Sequence, residues 1–133
     1  MYDSLNVSRL RLLSGKEIEA LRKAGLHSLW EIVERALTKR ERRRLAEEVG
    51  VDEGVLLKIV RITDLCRVCN LDLAELLVEA GVCTPLELPL RHLDVLHSMV
   101  TEAAARLGLE PPDRDALKEA QLRAKDLPPL FDY

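Results

Sequence analysis

Cys66 and Cys69 stand in the spacing Cys-x-x-Cys, with Cys83, His92 and His97 downstream. That spacing is half of a zinc site, in which two thiolates share one tetrahedral ion. A second pair is missing and Cys83 stands alone, so Cys66, Cys69 and Cys83 form the best metal candidate in the chain and still an incomplete one. The competing reading is stronger. Cys66 follows the apolar Leu65, and small buried thiols are common in cores. Redox chemistry by the pair lacks the βαβ context that such motifs occupy. No metal or cofactor is therefore expected.

Nucleophilic catalysis needs a cysteine or serine beside a positioned histidine and an acid. His27, His92 and His97 are scattered, and residues five apart do not stack on one helix face. Glycine-rich phosphate loops, zinc-protease helices and paired-acid motifs are absent from the sequence. With no constellation of site residues to start from, the chain reads as a non-enzyme.

The stretch TKRERRR places Lys39, Arg40, Arg42, Arg43 and Arg44 within two turns. Such a cluster is the best candidate for phosphate contact. Its ordinary reading is a solvated helix face, with Arg43 pairing to Glu47 and Arg44 to Glu48 at i,i+4. The interleaved acids weaken the local field, and no aromatic stands nearby in sequence for base stacking. At the other end, Phe131 and Tyr133 follow LPP in a tail that either folds back on its own chain or docks into a neighbour's groove, a peptide-like mode.

These residues sit in a chain of 133 residues with net charge −3, 47% hydrophobic and 32% charged. Such a composition fits an ordered globular protein with no general attraction to nucleic acid. Aromatics are 3%, so Leu, Val, Ile and Ala must build the core. No apolar run is long enough to span a bilayer, so no membrane association is expected. The opening MYDSLNVSRLRLL lacks the apolar stretch of a secretory signal. Three cysteines make no disulfide framework, which points to a reducing cytoplasm.

The apolar spacing is helical almost throughout. Helices are expected at about 4–9, 14–24, 28–37, 38–49, 52–66, 70–80, 84–90, 92–107 and 113–126. Starts are marked by capping boxes at Ser28-x-x-Glu31, Thr38-x-x-Glu41 and Thr84-x-x-Glu87, and by Ser14, Asp52, Asn70 and Asp113 as N-caps. Stops fall at Gly25, Gly50, Gly81 and Gly108.

The phrase AGLHSLWEI at Ala24 returns as AGVCTPLEL at Ala80, 56 residues later. At that offset Leu21 meets Leu77, Ser28 meets Thr84, Glu31 meets Glu87, and Trp30 meets Leu86. Leu86 as the counterpart of Trp30 favours a core role for the tryptophan over a ligand platform. Each copy reads as helix, tight turn, helix. A short hairpin cannot bury its own apolar face, so the two copies are expected to pack on each other.

The stretches LKIVRITDLCRV and LAELLVEAGVCTPLEL, with LRKAGLHSLWEI before them and AKDLPPLFDY after, resemble domain-of-unknown-function family 4332 over nearly the whole chain. The resemblance implies tandem helix-hairpin-helix-like units and, by analogy only, nucleic-acid binding. A phosphate-binding hairpin needs a Gly-hydrophobic-Gly turn. The corresponding positions here are Leu12-Leu13-Ser14 and Val68-Cys69-Asn70, with Gly15 one place late. Ser14 and Asn70 would cap the helix starts with their own side chains.

The expected fold is all-α: tandem helix-hairpin-helix-like units packed as one pseudo-symmetric domain, residues 1–66 and 67–133. The expected function is a non-catalytic binding or adaptor module for an unidentified macromolecule, a protein rather than nucleic acid, with Phe131 and Tyr133 as candidate partner contacts and self-association as an option. The alternative is a weak, sequence-independent nucleic-acid binder using Lys39, Arg40, Arg42, Arg43 and Arg44 with the helix starts at Ser14, Gly15 and Asn70.

Overall fold

The structure is a computed structural model and describes residues 5–131 and 133. It is all-α. Among the described residues seven α-helices run in order: α1 (Gly15–Lys23), α2 (Leu29–Glu34), α3 (Lys39–Val49), α4 (Glu53–Leu65), α5 (Leu71–Glu79), α6 (Leu93–Leu107) and α7 (Arg114–Ala124). Among the described residues the 3-10 helices Val7–Arg9 and Pro85–Leu90 stand beside them. Among the described residues β pairing is limited to an isolated antiparallel bridge between Asn6 and Ser28.

The helix at about 4–9 is in fact a single 3-10 turn capped by the Asn6 side chain, and the Ser4 end of that expectation lies outside the described residues. The segment at 84–90 is 3-10 rather than α, with Pro89 inside it. Proline cannot donate to an i−4 carbonyl and its ring crowds that carbonyl, so a proline four residues after Pro85 prevents an α turn from closing there.

The chain divides into two compact units. One runs up to Thr63 and takes in Leu130–Tyr133 as well; the other is Asp64–Pro129. In the first, Leu21, Leu29, Ile32, Leu56 and Ile59 are fully buried. In the second, Leu77, Leu88, Leu96, Val100 and Leu117 are. Each such side chain contributes about 1.5–3 kcal/mol by leaving water. Within the second unit α7 lies against the 3-10 helix Pro85–Leu90, and α6 against both α5 and α7.

The repeated phrase has a repeated hydrogen-bond pattern. Helices α1 and α5 are nine residues each and lie 56 positions apart at both ends. At their starts the Ser14 side chain accepts from Glu17 N at 3.2 Å, and the Asn70 side chain from Leu73 N at 2.9 Å. At their ends Leu26 N donates to Leu21 O at 2.9 Å, and Val82 N to Leu77 O at 2.8 Å. Gly25 N donates to Arg22 O, and Gly81 N to Val78 O, both at 3.0 Å. This is the Schellman closure, which requires a left-handed residue past the C-cap. Gly25 at φ +82° and Gly81 at φ +96° supply it.

The capping boxes differ in detail. Ser14 and Glu17 form a fully reciprocal one, with Ser14 N donating to Glu17 Oε1 at 2.8 Å. At Ser28 and Thr38 the hydroxyl accepts from the N3 amide, at 3.1 and 3.2 Å, but it also donates to the glutamate carboxylate. Glu87 Oε2 accepts from both Cys83 N and Thr84 N, at 3.0 and 3.1 Å.

Candidate functional site

The basic run lies on α3, started by Thr38. Lys39, Arg40, Arg43 and Arg44 are exposed. Arg42 is not: it is 3% exposed and donates from Nη1 to the Ala36 carbonyl at 3.0 Å. The third of the five cations of the run is thus turned inward, where it ties the α2–α3 connection to the first turn of α3. The i,i+4 pairing expected from the sequence is redirected. Glu48 pairs with Arg35, and Arg43 Nε lies 3.8 Å from Glu53. The partner of Glu48 thus comes from the residue just past α2, and that of Arg43 from the start of α4.

The helix starts named as phosphate candidates carry their own caps. Ser14 and Glu17 bond reciprocally, and Asn70 holds Leu73 N. Gly15 has open space around its Cα. Beside each turn a cation is already engaged: Lys58 Nζ donates to Leu12 O at 3.2 Å, and Arg123 Nη1 to Val68 O at 3.5 Å.

The three cysteines are half-buried free thiols. Cys69 Sγ donates to Leu65 O at 3.3 Å. Burial pushes the Cys66 thiol up from 9.0 to about 12, with Glu75 adding to it. Cys69 rises to about 12 as well, first through burial and then through Cys66, against a smaller pull from Arg123. Thiols held protonated in this way are poor nucleophiles and poor ligands. Among the described residues no group of three or more His, Cys, Asp or Glu side chains is arranged to hold a metal ion. His92 serves as the N-cap of α6, accepting from Asp94 N at 3.3 Å. His97 Nε2 lies 3.2 Å from the Pro112 carbonyl.

Phe131 is buried and Tyr133 exposed, their rings edge to face with centroids 6.4 Å apart. Both belong to the first unit. There Tyr133 helps line a cavity of about 300 Å³ with Lys39, Arg42, Glu53, Gly54, Leu57 and Arg61. Arg61 was not singled out by the sequence reading. Its signal is the spacing Glu53, Leu57, Arg61, which sets all three on one face of α4.

Four exposed large apolar side chains of the second unit are not marked by any motif in the sequence. Leu86 is 57% exposed, Leu90 85%, Val95 54% and Leu122 63%. The elements that carry them pack together, and Gln121 Nε2 clamps the 3-10 helix by donating to Leu88 O at 2.9 Å and Arg91 O at 2.8 Å. The repeat held the clue. Leu90 stands 56 positions after Glu34, so an apolar side chain replaces a charged one at an outward-facing position.

Among the described residues no helix is long and apolar enough to cross a membrane. No curated protein and no solved structure matches the chain. Residues 12–127 match the family described as "Domain of unknown function (DUF4332)", which takes in α1 through α7 and both copies of the repeated phrase, and the chain belongs to that family.

Proposed function

We propose that the protein is a non-catalytic binding module, an adaptor for a macromolecular partner, built on two helix-hairpin-helix-like units and working in the cytoplasm. The matched caps and Schellman closures of α1 and α5 support the duplicated hairpin. The observation that supports the binding role is the exposure of Leu86, Leu90, Val95 and Leu122 on contacting elements of the second unit. Single exposed leucines are ordinary, but several on adjoining elements form the kind of surface that partners cover. A partner of this kind is a protein with an apolar face of its own.

The test is the double variant Leu86→Glu, Leu90→Glu. At such exposed positions the helical circular dichroism and melting temperature stay as in wild type. Quantitative affinity purification from the native host, alongside sedimentation of the purified chain, should then show partners or self-association lost in the variant. Identical partner sets and a strict monomer in both proteins would sink the reading.

A second reading, weak sequence-independent nucleic-acid binding, is supported by the four exposed cations Lys39, Arg40, Arg43 and Arg44 on one helix. It calls for affinity that falls steeply with salt and is lost on Arg40→Glu with Arg43→Glu. Absence of binding to duplex and single strands at low salt would dispose of it.

A further inference from the structure

The exposed apolar side chains of the second unit stand among charges of one prevailing sign. Gln121 Nε2 holds the carbonyls of Leu88 and Arg91, on either side of Leu90. The α7 turn that carries Leu122 therefore lies against the end of the 3-10 helix that carries Leu90. Arg114 pairs with Asp94, which fixes the start of α7 beside the residue that precedes Val95. The nearby charges fall into two groups. Glu87 with Arg91, Asp94 with Arg114 and Glu119 with Arg123 neutralise one another within the unit. Outside these pairs, the exposed carboxylates of Glu102, Glu110, Asp113, Asp115 and Asp126 outnumber the exposed ammonium groups of Lys118 and Lys125. Asp113 and Asp115 flank Arg114 and so stand at the Val95 end. Glu102 lies two turns beyond Val95 on the same face of α6.

We infer that the surface around Leu90 and Leu122 docks a basic amphipathic helix of a partner protein, with apolar side chains on one face and lysine or arginine along its edges. The inference rests on the reading of the chain as a binding module and gives that module's partner its chemistry. The apolar face covers the exposed leucines and the cations meet the excess carboxylates, so burial and charge act together. A second copy of the chain would bring the same excess of carboxylates to the contact, and like charges across an interface oppose association. Nucleic acid and an anionic membrane meet the same repulsion. A helix is the segment that sets an apolar stripe and a charged edge side by side.

The full chain is titrated, at low and at high chloride, with a synthetic helix that places leucines on one face and lysines beside them. The methyl resonances of Leu90, Val95 and Leu122 should shift saturably, with affinity falling as chloride rises. A peptide with glutamate for lysine should bind at least ~10-fold more weakly. Leu90→Ser with Leu122→Ser, at exposed positions that leave the fold unchanged, should weaken binding by about 10-fold. Asp113→Asn with Asp115→Asn should weaken it several-fold and flatten the chloride dependence. The Asp113 side chain makes no cap hydrogen bond, and asparagine keeps the helix start favourable. Equal binding of the glutamate peptide overturns the proposal, as does equal binding of a peptide whose leucines are scrambled around the helix. A dimer in sedimentation that Leu90→Ser with Leu122→Ser abolishes also overturns it, since the occupant is then a second copy. Host partners lost in the Leu86→Glu, Leu90→Glu variant, with no lysine peptide bound by the wild type, remove the basic helix and leave the adaptor reading standing. No peptide bound and no host partner lost remove both.

Discussion

Lys58 reaches from α4 to the carbonyl of Leu12, 46 residues earlier in the chain, with Nζ 3.2 Å from the oxygen. Arg123 on α7 approaches Val68 O at 3.5 Å, and Val68 lies 56 positions after Leu12. The repeated turn is thus met by a cation in each unit, although the two cations occupy unrelated places in the repeat. A half-buried charged donor on a backbone carbonyl contributes about 1–2 kcal/mol. Lys58→Met should lower stability by about that much in urea unfolding. Arg123→Met should cost about half as much or less, because its contact is longer and its side chain is 58% exposed.

Arg42 and Arg40 are two positions apart and opposite in character. Arg42→Met removes the donor to Ala36 O and should cost about 2 kcal/mol. Arg40→Met, at the surface, should change stability by less than ~0.5 kcal/mol. Equal effects in chemical denaturation would show that the inward placement of Arg42 is not what holds the α2–α3 connection.

Substitutions at glycine separate the closures from the helix start. Gly25→Ala and Gly81→Ala meet no steric obstacle, since nothing lies within 4 Å of the added Cβ, but both force alanine to positive φ. Each should cost about 1 kcal/mol. Gly15→Ala sits in open space within α1 and should be neutral or stabilising by up to ~1 kcal/mol. Thermal melts of the three variants decide the ordering.

The thiols of Cys66 and Cys69 give a pH signature. Below pH 9.0, their ordinary value, they are protonated in both folded and unfolded chains and leave stability unchanged. Between 9.0 and about 12 the unfolded chain loses these protons while the folded one keeps them, so stability declines as pH rises through that window. Alkylation of the two native thiols at neutral pH should run well below that of an unhindered cysteine. Mass spectrometry after iodoacetamide treatment measures it site by site.

Much of the helical framework was legible because caps and stops are local chemistry. Ser14, Ser28, Thr38 and Asn70 all cap where their side chains suggest, and Gly25, Gly50, Gly81 and Gly108 all take positive φ. Pro89 turned the segment after Thr84 into a 3-10 helix, a consequence that its position implies but that capping alone does not show. The inward turn of Arg42 was not legible, since a cation among cations looks solvated until tertiary structure offers it a carbonyl. The cavity at Arg61 was hidden for the same reason. Its walls come from α3, α4 and Tyr133, which are brought together only by folding.

Burial of Phe131 carries its own stability prediction. Phe131→Ala should cost about 3 kcal/mol, and Tyr133→Ala, at 37% exposure, well under half of that.

Leu130–Tyr133 count with the first unit although they come at the far end of the chain. During synthesis, which runs from the N-terminus, the ribosome has already released α1 through α4 before Phe131 is made. The first unit to emerge is therefore the last to be finished, and a nascent chain stalled short of residue 131 exposes a surface that the completed protein covers.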